Sequence, residues 1–414
     1  MPTGQELLAS AEADPAAVSD DSIASAVRQI APAEVPALLR SISLVLQDRP
    51  SRAESLLETL RPLIDAEEAS VRFSAMRAVS MVAAASPGAV VAALESVWAR
   101  LEDADPGVRA AAARTLVGVA EEHPDRVAPQ LDRVVPLLAD DVVFVRLAGM
   151  GVLESLLPDH AAEVGQVTGA IVSCLRSEPA FDPHVRRDWM DRHPMYQERR
   201  EQQSTVRSDR ELYLITAASL IHDLAVTRPR VFPEHLTDIS QVLTSETLAP
   251  VRLHLIEAIS AVCPATPEAA DPAIEALTEM LTESNPARVN AAATWALAYI
   301  AEDRPDAVGA AGMAVLSDVQ QLLTVDDDEV VGGSVALCSY LAEYDPAALA
   351  PCLERVRELL GHDDTTVRGM AVWVLGFAGH AGDVDRLEEL AESDVDADVR
   401  EAAAEASRLL RDRT

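Results

Sequence analysis

The stretch DPGVRAAAARTLVGVAEEHPDRVAPQLDRVVPLL, residues 105–138, decides the fold. Asp105 is a helix N-cap, and Pro106 suits the first helical position, where its missing N–H costs nothing. Val108 to Glu121 follows as an alanine-rich helix former. His123-Pro124-Asp125 breaks it, because proline disfavours helical backbone in the residue before it. Asp125 stands where it can cap a second helix, which runs to about Leu138. Apolar residues recur along that helix at Val127, Leu131, Val134, Val135, Leu137 and Leu138. Asp140-Asp141 ends the unit. The spacing predicts two helices in one unit of 37 residues.

The same marks recur along the chain. The position held by Arg109 returns at Val35, Arg72, Arg146, Leu214, Arg252, Asn290, Val331, Arg368 and Arg400. A proline stands fifteen residues after seven of these ten slots: Pro50, Pro87, Pro124, Pro229, Pro267, Pro305 and Pro346. A period of 37 to 38 residues means stacked supersecondary units that bury their apolar faces on one another. One interval, from Arg146 to Leu214, is 68 residues, a repeat plus about 31 more. Val206-Arg207 resembles the missing slot, but Leu214 keeps phase with Pro229. The extra segment is therefore read as residues 177–207. The expected organisation is cap helices over 1–31, units one to four over 32–176, the insertion over 177–207, units five to nine over 208–398, and a cap helix over 399–414.

The acid-then-Val-Arg openings carry a resemblance: Asp105 with Val108-Arg109, Asp141 with Val145-Arg146, Asp364 with Val367-Arg368, and Asp396 with Val399-Arg400. Over roughly residues 32–414 the chain resembles the HEAT-repeat family. The resemblance implies an all-α fold, a right-handed α-solenoid of about ten HEAT-type, armadillo-like helix pairs. It also implies an Asp–Arg ladder between adjacent repeats and a concave surface lined by the second helices. A bidentate guanidinium suits such a bridge. Val35, Leu214, Asn290 and Val331 replace arginine, and the ladder is expected to lapse there.

Bulk composition agrees. Aromatics make up only 3% of the chain, so the core must be built from alanine, valine and leucine. Acids outnumber bases 68 to 34, every base is arginine, and the net charge is −34. Acids spread along the whole chain resemble the habit of salt-in halophiles, haloarchaea among them, in which salt screens self-repulsion. Cys174, Cys263, Cys338 and Cys352 lack metal or redox spacing and read as small buried hydrophobes of a reducing cytoplasm. No signal peptide or membrane-spanning run is expected.

The insertion is where composition changes. Arg186, Arg187, Trp189, Arg192, Tyr196, Arg199 and Arg200 concentrate arginine and aromatics, the residue types that anchor interfaces. They are the candidate partner-binding residues; the alternative is a loop folded back on its acidic scaffold. Arg100, Arg126, Arg133 and Arg176, in second helices, form a weaker cationic candidate, with pairing to Glu95, Glu102 and Asp132 as the alternative. Trp295 and Trp373, five residues after their slots, are expected in the core, and Trp98 between repeats. Asp326-Asp327-Asp328-Glu329 and His362-Asp363-Asp364 read as inter-repeat turns that cap the next helix. His184, Asp188 and His193 have no diagnostic metal spacing.

Nucleophile elbows, phosphate loops and zinc-hydrolase helices are absent from the sequence. HEAT-like iron hydroxylases carry paired His-Glu motifs, and bilin lyases use shorter repeats; neither pattern is found. No catalytic residue, metal or cofactor is assigned. The expectation is a non-catalytic cytoplasmic scaffold or adaptor for one or more proteins, in a setting such as a signalling or motility relay. Nucleic acid and membrane are not expected as partners, and self-association through the insertion is a further option. The competing class is a HEAT-like lyase or metal-dependent enzyme.

Overall fold

The computed structural model describes residues 2–29, 31–177, 209–281 and 285–413. Every regular element among them is a helix, and the chain divides into two units, Met1–Leu220 and Ile221–Thr414. The first unit begins with α1 (Gly4–Ala13) and α2 (Asp20–Gln29), then α3 (Val35–Asp48) and α4 (Ala53–Ile64). Next come α5 (Ala69–Ala85) with the short α6 (Pro87–Val90) and α7 (Leu94–Ala99). After α8 (Pro106–Ala120) come α9 (Val135–Leu138), α10 (Val143–Gly165) and α11 (Thr168–Arg176). Helix α12 (Asp209–Thr227) starts in the first unit and ends in the second.

The second unit continues with α13 (Leu236–Ser245), α14 (Ala249–Val262), α15 (Asp271–Glu279) and α16 (Ala287–Asp303). It goes on through α17 (Pro305–Ala314), α18 (Leu316–Leu322), α19 (Asp328–Tyr344) and α20 (Leu353–Leu359). It ends with α21 (Thr365–Ala378), α22 (Val384–Ser393) and α23 (Ala397–Arg413).

In each unit first helices pack on first helices and second on second. The first-helix row is α1, α3, α5, α8, α10 in one unit and α14, α16, α19, α21, α23 in the other. The second-helix rows include α2 on α4, α4 on α6, α13 on α15 and α15 on α17.

Local chemistry explains this order. The repeated slot is the fourth residue of α5, α8, α10, α14, α16, α19, α21 and α23. Each of the seven recurring prolines is the first residue of a short helical segment that follows its first helix, Pro267 after an intervening turn at Cys263–Ala265. A ring that fixes φ and lacks an N–H fits that position without cost, whereas deeper in a helix it removes a hydrogen bond.

The second helix of the quoted stretch departs from expectation. Residues 124–138 form a turn at Pro124–Arg126, a turn at Ala128–Arg133 and only then α9. Pro129 and Pro136 remove donors, and Gln130 leaves helical geometry at φ −118°, ψ 25°. Asp125 lies inside the first of these turns, and none of the three segments has a side-chain cap at its N-terminus. In the fourth unit no proline falls at the expected position. Instead α10 contains Pro158 and bends at His160 (φ −127°, ψ 37°) before continuing to Gly165.

The core is small-residue packing, as the composition requires. Ala111, Ala112 and Ala113 are fully buried on α8, and Ala291, Ala293, Ala296 and Ala298 are buried on α16. Close approach is built in: a Cβ on Gly376 of α21 would lie 2.8 Å from the Ala406 Cβ of α23. Trp98 is fully buried, with the Arg133 guanidinium of the next repeat 5.4 Å from its ring centroid. The four cysteines are free and buried. Burial pushes the Cys174 thiol up to about 11 and that of Cys263 to about 12, so neither is a thiolate at neutral pH.

Candidate interaction surfaces

The slot arginines hold the stack in register and so fix which faces remain for a partner. The Arg72 Nε and Nη2 donate to the two Asp103 oxygens at 2.8 and 2.9 Å. Arg109 makes the same fork on Asp140 at 2.8 and 2.9 Å, and Arg368 on Asp394 at 2.9 and 3.0 Å. Each acid is tied forward as well. Asp103, Asp140 and Asp394 accept from the backbone N–H two residues on, and their carbonyls accept from Arg109, Arg146 and Arg400 of the following helix.

The partner acid is thus not the one that opens the motif. Asp105, Asp364 and Asp396 cap their own helices, accepting from the N–H groups two and three residues ahead. The rung is carried by Asp103 and Asp394, two residues earlier, and by Asp140 beside Asp141. Asp327 caps α19 in the same way, which bears out the capping reading of the Asp326–Glu329 cluster.

Two rungs are altered rather than lost. Arg252 donates to the Asn285 Oδ1 at 2.5 Å where its counterparts meet aspartate. Arg146 meets Ser177 and, at 3.1 Å, the Tyr213 hydroxyl of α12, which itself donates to the Cys174 carbonyl at 2.7 Å. Tyr213, fully buried, therefore closes the ladder at the fourth repeat inside the first unit. Nothing in the repeat pattern marks it, because it stands one residue before the slot at Leu214.

Electrostatics follow this geometry. Burial raises the Asp103 pKa, but the Arg72 fork, the Asp105 N–H and Arg100 outweigh it and hold the carboxyl below the usual range. Asp394 is lowered chiefly by its Arg368 fork, against a smaller burial effect. Arg357 forks onto Asp383 at 2.6 and 2.9 Å, and that carboxyl too is lowered although burial opposes it.

The second-helix face of the second unit carries a groove of about 460 Å³ between α15 and α17. Ala307, Ala310, Ala311 and Ala314 of α17 form one wall, and Ile274 and Thr278 of α15 the other. Asp271, Glu275 and Glu279, four residues apart, put a row of carboxylates along its edge. Asp271 is bound by Arg304, whereas Glu275 and Glu279 are exposed. The groove offers small apolar surface beside negative charge.

The first-helix face of the same unit is aromatic. Trp295 stacks on Tyr299 and Trp373 on Phe377, each pair with centroids 6.1 Å apart. Trp295 and Trp373 are half-buried, not core residues as their phase suggests. The Trp295 ring lies on Gly332 and Gly333 of α19, where a Cβ would come within 3.4 and 3.0 Å of it. Tyr299 and Tyr344 are about half exposed.

Two of the four cationic candidates of the first unit, Arg100 and Arg133, are engaged within the repeats, and Arg126 is exposed. Arg100 pairs with Asp103 and Asp65, and Arg133 pairs with Glu95 and covers Trp98. The insertion candidates Arg186, Arg187, Trp189, Arg192, Tyr196, Arg199 and Arg200 lie outside the described residues, as do His184, Asp188 and His193.

Known proteins place the architecture. A family model described as HEAT repeats matches residues 318–408, the stretch that contains the Arg368–Asp394–Arg400 rung. An engineered protein of known crystal structure is similar at a TM-score of 0.62 and 19% identity, covering 99% of both chains. A chain from a structural study of the interaction between cadherin and β-catenin is similar at a TM-score of 0.53 and 16% identity, over 86% of this chain and 68% of that one. No curated protein matches in sequence. Residues 318–408 are HEAT repeats, and the chain has the fold of the HEAT and armadillo α-solenoids.

Proposed function

We propose that this chain is a non-catalytic scaffold that binds protein partners along its second-helix face, with the α15–α17 groove as the main seat. The observation that carries this reading is the pairing of an alanine wall with the carboxylates of Glu275 and Glu279, both exposed beside it. Such a groove suits a partner segment bearing small apolar residues and arginine or lysine, since opposite potentials steer encounter and fix register. Small side chains on the wall let a partner backbone come close.

The segment 177–207 is proposed as a second point of attachment through Arg186, Arg187, Trp189, Arg192, Tyr196, Arg199 and Arg200. Two attachments would make the chain an adaptor, and a signalling or motility relay is one setting that suits it. Tyr299, about half exposed, and the half-buried Trp295 stacked on it supply further anchors of the kind interfaces favour.

The test is affinity capture in molar KCl with quantitative mass spectrometry. A Glu275→Arg/Glu279→Arg chain should lose most of a partner that the parent recovers, and an Arg186→Ala/Arg187→Ala/Trp189→Ala chain should lose part of it. Equal recovery by all three chains overturns the reading. Light scattering on the same preparations separates a foreign partner from a second copy.

A further inference from the structure

Nine histidines are scattered along the sequence, and among the described residues the fold brings His222 and His254 together. His222 lies on the C-terminal half of α12, and His254 with Glu257 on α14, all in the second unit. His254 and Glu257 share one helix face at a spacing of three residues. The imidazole centroids are 5.9 Å apart. The Glu257 Oε2 lies 3.3 Å from the His254 Nδ1 and 3.9 Å from the His222 Nε2. One ligand atom from each of the three residues falls within 4.8 Å of the others.

We infer that His222, His254 and Glu257 form a binding site for a divalent transition-metal ion, with zinc as the ion their chemistry fits best. Zinc bonds to nitrogen and oxygen of about 2.1 Å at tetrahedral angles require ligand atoms about 3.4 Å apart. The 3.3 Å edge already meets this, and the 3.9 Å edge closes with a small side-chain rotation.

Two further observations point to a ligand. The His254 Nδ1 is screened from solvent yet makes no hydrogen bond, and it faces the Glu257 oxygen across that edge. His222 has its other nitrogen, Nδ1, 3.2 Å from the Asp223 carboxylate. A carboxylate this close to one ring nitrogen stands near the place held by the carboxylates behind metal-bound histidines, where accepting from that nitrogen would leave the second free to ligate. Two imidazoles and one carboxylate favour zinc over magnesium or calcium, which take oxygen ligands. Three protein ligands leave the fourth position to water or to a side chain of a bound partner.

The ion would tie α12 to α14 at the outer edge of the first-helix row. The leading slot of this helix pair, Leu214, has no guanidinium to offer. A coordination bond on the first-helix surface would there do the work that a salt bridge does elsewhere in the stack. The alternation that hides it is simple: one ligand is more than thirty residues from the other two, in a different repeat and at a different phase.

The full chain, stripped with EDTA and dialysed, is titrated with zinc chloride against a chromophoric chelator in a non-coordinating buffer with KCl. The expected result is one equivalent of zinc per chain and a thermal midpoint that rises with zinc. Binding should weaken at least about tenfold in His222→Gln and be lost in His222→Ala/His254→Ala, as the removal of ligands from a three-ligand site requires. His123→Ala, remote from the site, should bind as the parent does. Cobalt substituted for zinc should give the intense visible band of four-coordination. Circular dichroism on each variant checks folding, and the conservative His222→Gln and Glu257→Gln chains keep the test open if the double variant unfolds. A parent chain that holds no zinc, or variants that hold it equally, would falsify the site. Because the groove at α15–α17 takes no part, this result and partner capture fail independently.

Discussion

Arg72, Arg109 and Arg368 use the same three donors in the same way: two on an acid at the turn that leads into the next repeat and one on the carbonyls that precede their own helix. The acids are buried, so removal of the guanidinium strands a charge away from water. Arg368→Ala should destabilise the chain by about 3–5 kcal/mol in urea unfolding, the usual cost of breaking a buried pair from one side. Arg368→Lys should recover only part, because an ammonium has no fork to match the carboxylate. An unchanged unfolding midpoint for Arg368→Ala would remove the ladder from the account of stability. The acids also set a pH dependence. Asp103, Asp383 and Asp394 have folded-state pKa values below those of the unfolded chain, so the unfolded chain takes up their protons first. Their contribution is full above the unfolded value of about 3.9 and falls away as pH drops through the folded values. Stability measured from pH 6 down to 2 should show this loss below about pH 4, and Asp394→Asn should flatten it.

At the scale of elements, what matters is how closely two helices approach. Gly376 of α21 faces Ala406 of α23 with no room for a Cβ, since that atom would lie 2.8 Å from a Cβ and 3.1 Å from a Cα. Gly376→Ala should therefore cost about 1–3 kcal/mol, the range for overpacking. Gly151→Ala is the contrast. Its Cβ would meet only the Val117 Cγ2, at 3.5 Å, so the added methyl should be neutral or stabilise by up to about 1 kcal/mol through the unfolded chain. Thermal midpoints of the two variants side by side decide the matter; a reversed order would mean the helix spacing is wrong. The first helices were the legible elements, with cap, slot and alanine-rich run in fixed order. The second helices were not, because Pro129 and Pro136 break a stretch whose apolar spacing alone reads as continuous.

For the whole molecule the governing quantity is a net charge of −34. Like charges on a folded chain repel, and salt shortens the reach of that repulsion from about 30 Å at 0.01 M to about 3 Å at 1 M. The thermal midpoint should rise steadily from dilute buffer to molar KCl. A flat response would show that the acids are already compensated within the fold and would withdraw the halophilic reading of the composition. The same charge bears on partners. Acids are everywhere on this chain, so charge alone selects nothing; Glu275 and Glu279 become informative only because an alanine wall stands beside them.

The repeat, its phase, the seven prolines that open the following segments and the near-alanine core were all determined by sequence, because each depends on residues within one or two turns of one another. The resemblance to HEAT repeats rested on those local marks, and the fold agrees. Contacts across repeats were a different matter. Which aspartate meets which arginine, the repair of a rung by Tyr213, the seat of Trp295 on Gly332 and Gly333, and the meeting of His222 with His254 and Glu257 were decided only by tertiary structure. Each joins residues that stand up to 67 positions apart. The period places a residue on a face, but the approach of two helices decides what that face touches.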